Sequence, residues 1–257
     1  MTKLCQSPKP FSLLAFLFSA CFVVAATTQA ACEDPPAPKV NWKDCDKQGV
    51  DLQNVDLRGA ILDRVNFEKA NLSGANLRGA YLGKSNLRGA NLVKAKLIEA
   101  NLVSADLTGA DLSNALMVQA HLDRAKLVKA QLNNARLDKA KMYDAIFLDA
   151  TLKGAILTGA EMEQANFNNA DLSDSDLSGA TLSRISMENT NLQGAMLSKA
   201  RLDKAFLVSA DFSFSDLSSA TLVGAEIIGA IFDGAQLSYT TWVDRRRCRS
   251  GSVGVCR

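Results

Sequence analysis

Histidine and proline are both scarce in this 257-residue chain. Histidine occurs once, at His121, which excludes a metal centre built on several imidazoles. The five prolines all lie at or before Pro38. Every later residue therefore carries a backbone N–H, which suits a continuous hydrogen-bonded ladder and argues against a disordered tail. Aromatic residues make up 6% of a chain that is 47% hydrophobic, so any interior is filled mainly by aliphatic side chains. An excess of one charge is also missing. The formal +2 comes from 29 basic and 27 acidic residues. Removing residues 1–30, which hold Lys3, Lys9 and no acid, leaves 27 of each. Such a neutral chain has no bulk electrostatic reason to bind nucleic acid.

The first thirty residues read as an export signal. Lys3 and Lys9 precede an apolar run from Phe11 to Ala26, and Thr28-Gln29-Ala30 places small residues at the −3 and −1 positions of a cut. An uncleaved membrane anchor is the alternative, because the apolar run is close to spanning length. A lipidated leader is another, since Phe18-Ser19-Ala20-Cys21 resembles a lipoprotein cleavage site. Contact with a membrane is expected only through such a leader. After cleavage Cys32, Cys45, Cys248 and Cys256 remain, all of them near the two ends. An even number in an oxidising compartment favours disulfides, with three possible pairings. Local pairing, Cys32 with Cys45 and Cys248 with Cys256, is the economical one, because the long segment between the two groups should hold them apart.

From Val50 the sequence falls into a register of five. DLQNV, DLRGA, ILDRV, NFEKA, NLSGA and NLRGA follow one another without insertion. The large apolar centres run from Leu52 to Trp242 in steps of five, which makes 39 units. Two residues before each centre stands alanine, with few exceptions such as Ser85, Ser175, Ile185 and Thr190. A period of five suits neither regular structure. In a helix successive leucines would drift around the axis, and in a strand they would alternate between faces. The pattern closes only if the chain turns once per unit, with the centre and the small residue inside. This predicts an all-β coil, a β-solenoid, whose backbone groups bond to the coils above and below.

The units resemble the pentapeptide-repeat family, whose pattern A(D/N)LXX is matched by Ala75-Asn76-Leu77-Arg78-Gly79 and Ala110-Asp111-Leu112-Ser113-Asn114. The resemblance covers about three quarters of the chain. It implies a right-handed quadrilateral β-helix with four units per coil, about ten coils in all. Lys96, Arg136, Met196 and Phe206 depart from the pattern at the Asn/Asp slot, and Ile185 and Thr190 at the alanine slot. Residues twenty apart should stack, giving ladders such as Leu52, Leu72, Leu92 and onward to Phe232. The implied domain plan is a signal peptide at 1–30, an N-terminal cap at 31–49, repeats at 50–243 and a basic, disulfide-bearing tail at 244–257.

No catalytic, cofactor or metal motif appears. Glycines such as Gly59, Gly74 and Gly79 fall at the last position of a unit and mark corners, not a phosphate cradle. His121 has carboxylates near it, at Asp123 and Asp144, but no nucleophile. A filled core leaves no pocket for a substrate. No cofactor, no small-molecule substrate and no enzymatic activity are expected. Residues 50–96 hold eight bases against four acids, 97–160 hold seven of each, and 161–243 hold four against eleven, so charge is polarised along the chain. The family resemblance offers one alternative function, a DNA-mimicking protein acting on gyrase or another topoisomerase. Against it stand the export signal and the neutral mature charge. The favoured reading is a non-catalytic structural or protein-binding module of a bacterial envelope or exterior, with a protein partner of unknown identity. The expected contact strip is Ile98, Val118 and Leu116 on one side, with Val128, Leu148 and Ile146 on the adjoining side. Lys126, Lys129, Arg136 and Lys139 rim it. Mass spectrometry of the exported chain should find a mature N-terminus near Ala31.

Overall fold

The computed structural model describes residues 32–257. The expected signal peptide, its cleavage site and Cys21 lie outside the described residues. Within them the backbone returns to the same angular position every twenty residues. Parallel bridges link each residue of the Asn/Asp slot to the one twenty further on, from Asn41↔Ile61 to Thr221↔Thr241. Ten such periods stack one on another. Each coil has four quarters, identified here at mid-chain by their centres: quarter I by Leu112, II by Met117, III by Leu122 and IV by Leu127.

One unit shows why the period is five. The N–H of the Asn/Asp slot donates to an alanine-slot carbonyl of the preceding coil, as in Asn71 to Val50 at 2.9 Å. The leucine N–H donates to the following coil, as in Leu57 to the Asn76 carbonyl at 2.8 Å. The fifth position does the same, as in Gly59 to Arg78 at 2.9 Å. The next alanine closes the turn on its own unit, as in Ala60 to Leu57 at 3.1 Å. Only the fourth-position N–H is left over. Where the slot holds Asp or Asn, its Oδ1 takes that N–H: Asp51 accepts from Gln53 at 3.2 Å, and Asp111 from Ser113 at 2.9 Å. This local side-chain bond is what Asn and Asp offer best, Ser and Thr making it only more weakly. The amide of Asn has a further use, since Asn86 Nδ2 donates to Asn66 Oδ1 one coil earlier at 2.8 Å.

The expectation of an all-β, right-handed quadrilateral β-helix is corrected here, and with it β-helix and solenoid as descriptions of this chain. Among the described residues there is no helix, no continuous strand and no organised sheet; pairing is confined to isolated one-residue bridges. The reason lies in the unit. Two of its five residues form a turn, and the fifth position sits in the left-handed region, as at Asn54 (φ 57°) and Gly74 (φ 66°). That leaves one bridging residue per unit, too few for consecutive ladder residues. Glycine is needed at only some corners. A Cβ on Gly74 would collide with Asn54 Oδ1, and one on Gly234 would lie 2.6 Å from the Phe214 ring. Elsewhere Lys, Asn, Ser and Asp accept the same φ.

Leucine-slot and alanine-slot residues fill the interior and are buried from Leu57 to Leu222. Stacking at a step of twenty is direct: the Phe147 and Phe167 rings are 4.3 Å apart and 8° from parallel. Alanine is small because the neighbouring centres leave no more room, and enlarging such a site costs about 1–3 kcal/mol. The polar exceptions satisfy themselves. Ser85, Ser175 and Ser215 each donate to the leucine-slot carbonyl of their own turn at 2.7 Å. Thr190 reaches the Phe167 carbonyl at 2.8 Å and Thr240 the Leu217 carbonyl at 2.7 Å, so each of these five alanine-slot hydroxyls has an acceptor.

The coil begins before Val50. Trp42 occupies a leucine slot and is almost fully buried, Cys45 occupies an alanine slot, and Lys39 already donates to the Arg58 carbonyl at 2.8 Å. Trp42, Cys45 and Lys47 hide the register in the sequence, because none fits A(D/N)LXX. Lys47 lies over the Trp42 ring at 4.3 Å and donates to the Cys32 carbonyl at 2.5 Å, covering the first coil. Disulfides join Cys32 to Cys45 and Cys248 to Cys256.

Two outcomes follow from this construction. Reduction should remove hydrogen-exchange protection at the first and last coils while interior amides such as Leu132 keep theirs, because the interior ladder holds no crosslink. The second concerns acid. Burial pushes the carboxyls of Asp106, Asp176 and Asp211 up, but the hydrogen bonds they accept from Thr108, Ser178, and Gln193 with Ser213 outweigh it, and all three sit below the ordinary value. A carboxylate depressed in the fold stabilises it above the unfolded pKa of about 3.9, and that contribution is lost as pH falls through the folded value. Replacing all three by Asn keeps the acceptor without titration. Denaturant titrations at neutral pH and at about pH 3 should show a smaller loss of stability for the triple variant than for the parent.

Candidate protein-contact surface

The Asn/Asp slot is not filled evenly along the stack. Between Asp111 and Asn166 lie ten consecutive units whose slot holds Leu116, His121, Lys126, Gln131, Arg136, Lys141, Ile146, Thr151, Ile156 and Glu161. None of these side chains takes the fourth-position N–H of its own unit. Two of the ten N–H groups find a substitute one coil earlier: Tyr143 donates to Asp123 Oδ1 at 3.0 Å and Lys153 to Asn133 Oδ1 at 3.1 Å. The N–H groups of Val118, Val128, Asp138 and Leu148 have no acceptor among the described residues. They lie at half-buried positions, where water or a partner can reach them.

The six apolar residues expected to form a strip sit in or beside this band. Lys96↔Leu116 and Leu116↔Arg136 are bridged, so Ile98, Leu116 and Val118 share quarter II with Arg136. Lys126↔Ile146 is bridged, so Val128, Ile146 and Leu148 share quarter IV with Lys126. The two groups are ten residues out of phase, which is half a coil. They therefore face opposite ways and do not form one strip across adjoining sides. All six are half-buried, their aliphatic ends lying along the wall between charged neighbours. Lys126, Lys129, Arg136 and Lys139 are exposed.

Quarter III, between them, carries His121. It is exposed in an open groove of about 630 Å³ lined by Glu99, Gln119, Lys139, Lys141 and Glu161. No nucleophile is placed against the imidazole there. Among the described residues no cluster of three His, Cys, Asp or Glu side chains could hold a metal ion. The band thus offers backbone donors, short aliphatics and lysine or arginine, a set suited to holding another polypeptide and without the convergent groups a reaction needs. The apolar positions were legible in the sequence; the missing caps became visible only when the structure showed what Asn and Asp do.

Comparison with known proteins agrees with this geometry. Residues 48–79, 75–114, 105–144, 145–184, 170–207 and 207–240 match the family model "Pentapeptide repeats", in eight copies. Among solved structures, HetL from the cyanobacterium Nostoc sp. strain PCC 7120 is 32% identical, with a TM-score of 0.61, over 82% of this chain and 92% of its own. HetL is a pentapeptide repeat protein involved in heterocyst differentiation regulation. A pentapeptide repeat protein from the Arabidopsis thaliana thylakoid lumen is 28% identical over 42% of this chain and 65% of its own, with a TM-score of 0.20. QnrB1, a plasmid-mediated fluoroquinolone resistance protein, is 16% identical over 77% of this chain and 91% of its own, with a TM-score of 0.34. No curated protein sequence matches the chain. The matched family is a structural, non-catalytic one. With its register matched from residue 48 to residue 240 and its coils closing every twenty residues, this chain belongs to the pentapeptide-repeat family.

Proposed function

We propose that the chain is a non-catalytic protein-binding module that acts outside the cytoplasm and grips its partner through the central band. The observation that carries this reading is the run of ten units without Asn or Asp in the capping slot. Elsewhere Asn or Asp recurs in the slot, with shorter gaps such as Ile61, Tyr81 and Met196 to Phe206; in the band every slot holds another residue, three of them aliphatic and three Lys or Arg. Each missing cap forgoes one hydrogen bond, worth about 1 kcal/mol net. A partner segment that accepts hydrogen bonds from the free N–H groups recovers that cost on binding. The polypeptide expected is extended and carries acidic side chains, to meet Lys126 and Lys129 in quarter IV or Arg136 and Lys139 in quarter II. The two disulfides support an oxidising compartment.

The test separates stability from binding. Leu116→Asn and Ile146→Asn supply acceptors for the Val118 and Leu148 N–H groups. Each variant should be about 1 kcal/mol more stable in denaturant titration. Both together should weaken capture of a partner that binds immobilised parent protein. Leu116→Asp with Leu148→Asp should weaken it further while the fold survives. A partner held equally by parent and all variants would sink this surface. Capture of a gyrase or topoisomerase subunit would favour the DNA-mimicking alternative.

A further inference from the structure

The last coil is covered over only half its circumference. Quarters II and III are paired by the returning tail through antiparallel bridges Gln236↔Val253 and Thr241↔Arg247. Leu237 N–H donates to Ser252 at 2.9 Å and Trp242 N–H to Arg246 at 2.8 Å, while the Ala235 and Thr240 carbonyls accept from Gly254 and Cys248. The tail thus substitutes for the next coil there, held in shape by the Cys248–Cys256 bond. Quarters IV and I, residues 226–235, have no such cover. The N–H groups of Ile227, Gly229, Phe232 and Gly234 and the carbonyls of Ala225 and Ala230 are unpaired, although their counterparts one coil earlier are all bonded. Apolar surface is open beside them: Ile228 is 76% and Ile231 44% exposed.

The end is therefore a step, with a raised half and a sunken half. An uncovered ladder edge over apolar side chains is a template for another chain. The raised half has the means to fill the sunken half of a second copy. In each antiparallel bridge the bonds run through the flanking residues, so Val253 and Arg247 direct their own N–H and C=O away from the coil. Neither residue's backbone has a partner within the described residues. Val253 also exposes its side chain, at 43%. Charge is complementary. The sunken half carries Glu226 and Asp233 and no base, whereas the tail carries Arg245, Arg246, Arg247, Arg249 and Arg257 against Asp244 alone.

We propose that the C-terminal end is a two-fold dimer interface, in which the tail of each copy seats on residues 226–235 of the other. A two-fold axis along the edge of the step brings raised half onto sunken half in both copies at once and closes the assembly. This surface is separate from the central band, and either can stand without the other. Sedimentation equilibrium of the mature, oxidised chain should show a monomer–dimer equilibrium, weakened by salt because the arginines contribute. Hydrogen exchange at the Ile227, Gly229, Phe232 and Gly234 amides should slow as concentration rises. Ile228→Asp and Arg247→Glu alter exposed side chains and should shift the equilibrium towards monomer at least tenfold, with unchanged circular dichroism. A parent that stays monomeric at high micromolar concentration would overturn the proposal. So would a dimer indifferent to both variants, or one that leaves the four amides unprotected, since the copies would then meet elsewhere.

Discussion

Each five-residue unit leaves one backbone N–H without a backbone acceptor, and the rest of the molecule depends on how that donor is satisfied. Three of the other four donors bind the stack together and one closes the turn. An Asp or Asn two residues back is the short side chain that reaches the leftover donor without leaving its place in the ladder. Leucine and alanine decide what is inside. Asp and Asn decide whether the wall around them is complete.

Completeness varies along the stack. Where the slot is filled, the wall presents satisfied amides and solvated side chains, a surface with little to offer a partner. Across the central band the slot gives way to Leu, Ile, Lys and Arg, and donors such as the Val118 N–H stay available. The C-terminal coil repeats the theme on a larger scale. Its tail satisfies half of the last ladder and leaves the other half open beside Ile228 and Ile231. A stack of this kind gains nothing from loops at its ends unless they bond to the last coil, which is why both ends are held by short disulfide loops.

The interior tolerates departures in a way that follows from the same geometry. Ser85 and Thr190 stand where alanine is expected, yet each hydroxyl reaches a carbonyl that the coil brings within 2.8 Å. Phe147 with Phe167 and Phe212 with Phe232 enter the leucine ladder as stacked pairs, so a larger ring in one coil is accommodated by a ring in the next. Surface ion pairs, such as Arg58 with Asp56, are exposed and add little to this.

The sequence by itself determined the register of five and the buried positions. A strict spacing of five leaves only one way to put leucine and alanine inside together. It did not determine the form of the wall. A reading in terms of strands followed from the need for inter-coil bonds, but two turn residues per unit, one of them at φ near +60°, leave room for a single bridging residue. Nor could spacing alone show that Val118 and Val128 face opposite ways, since that depends on how many units close a coil. Trp42 and Cys45 were unreadable as repeat positions because burial, not residue type, marks them as such. The half-covered last coil was decided only by the tertiary structure: the tail's path depends on contacts between Gln236 and Val253, seventeen residues apart, for which no local pattern exists.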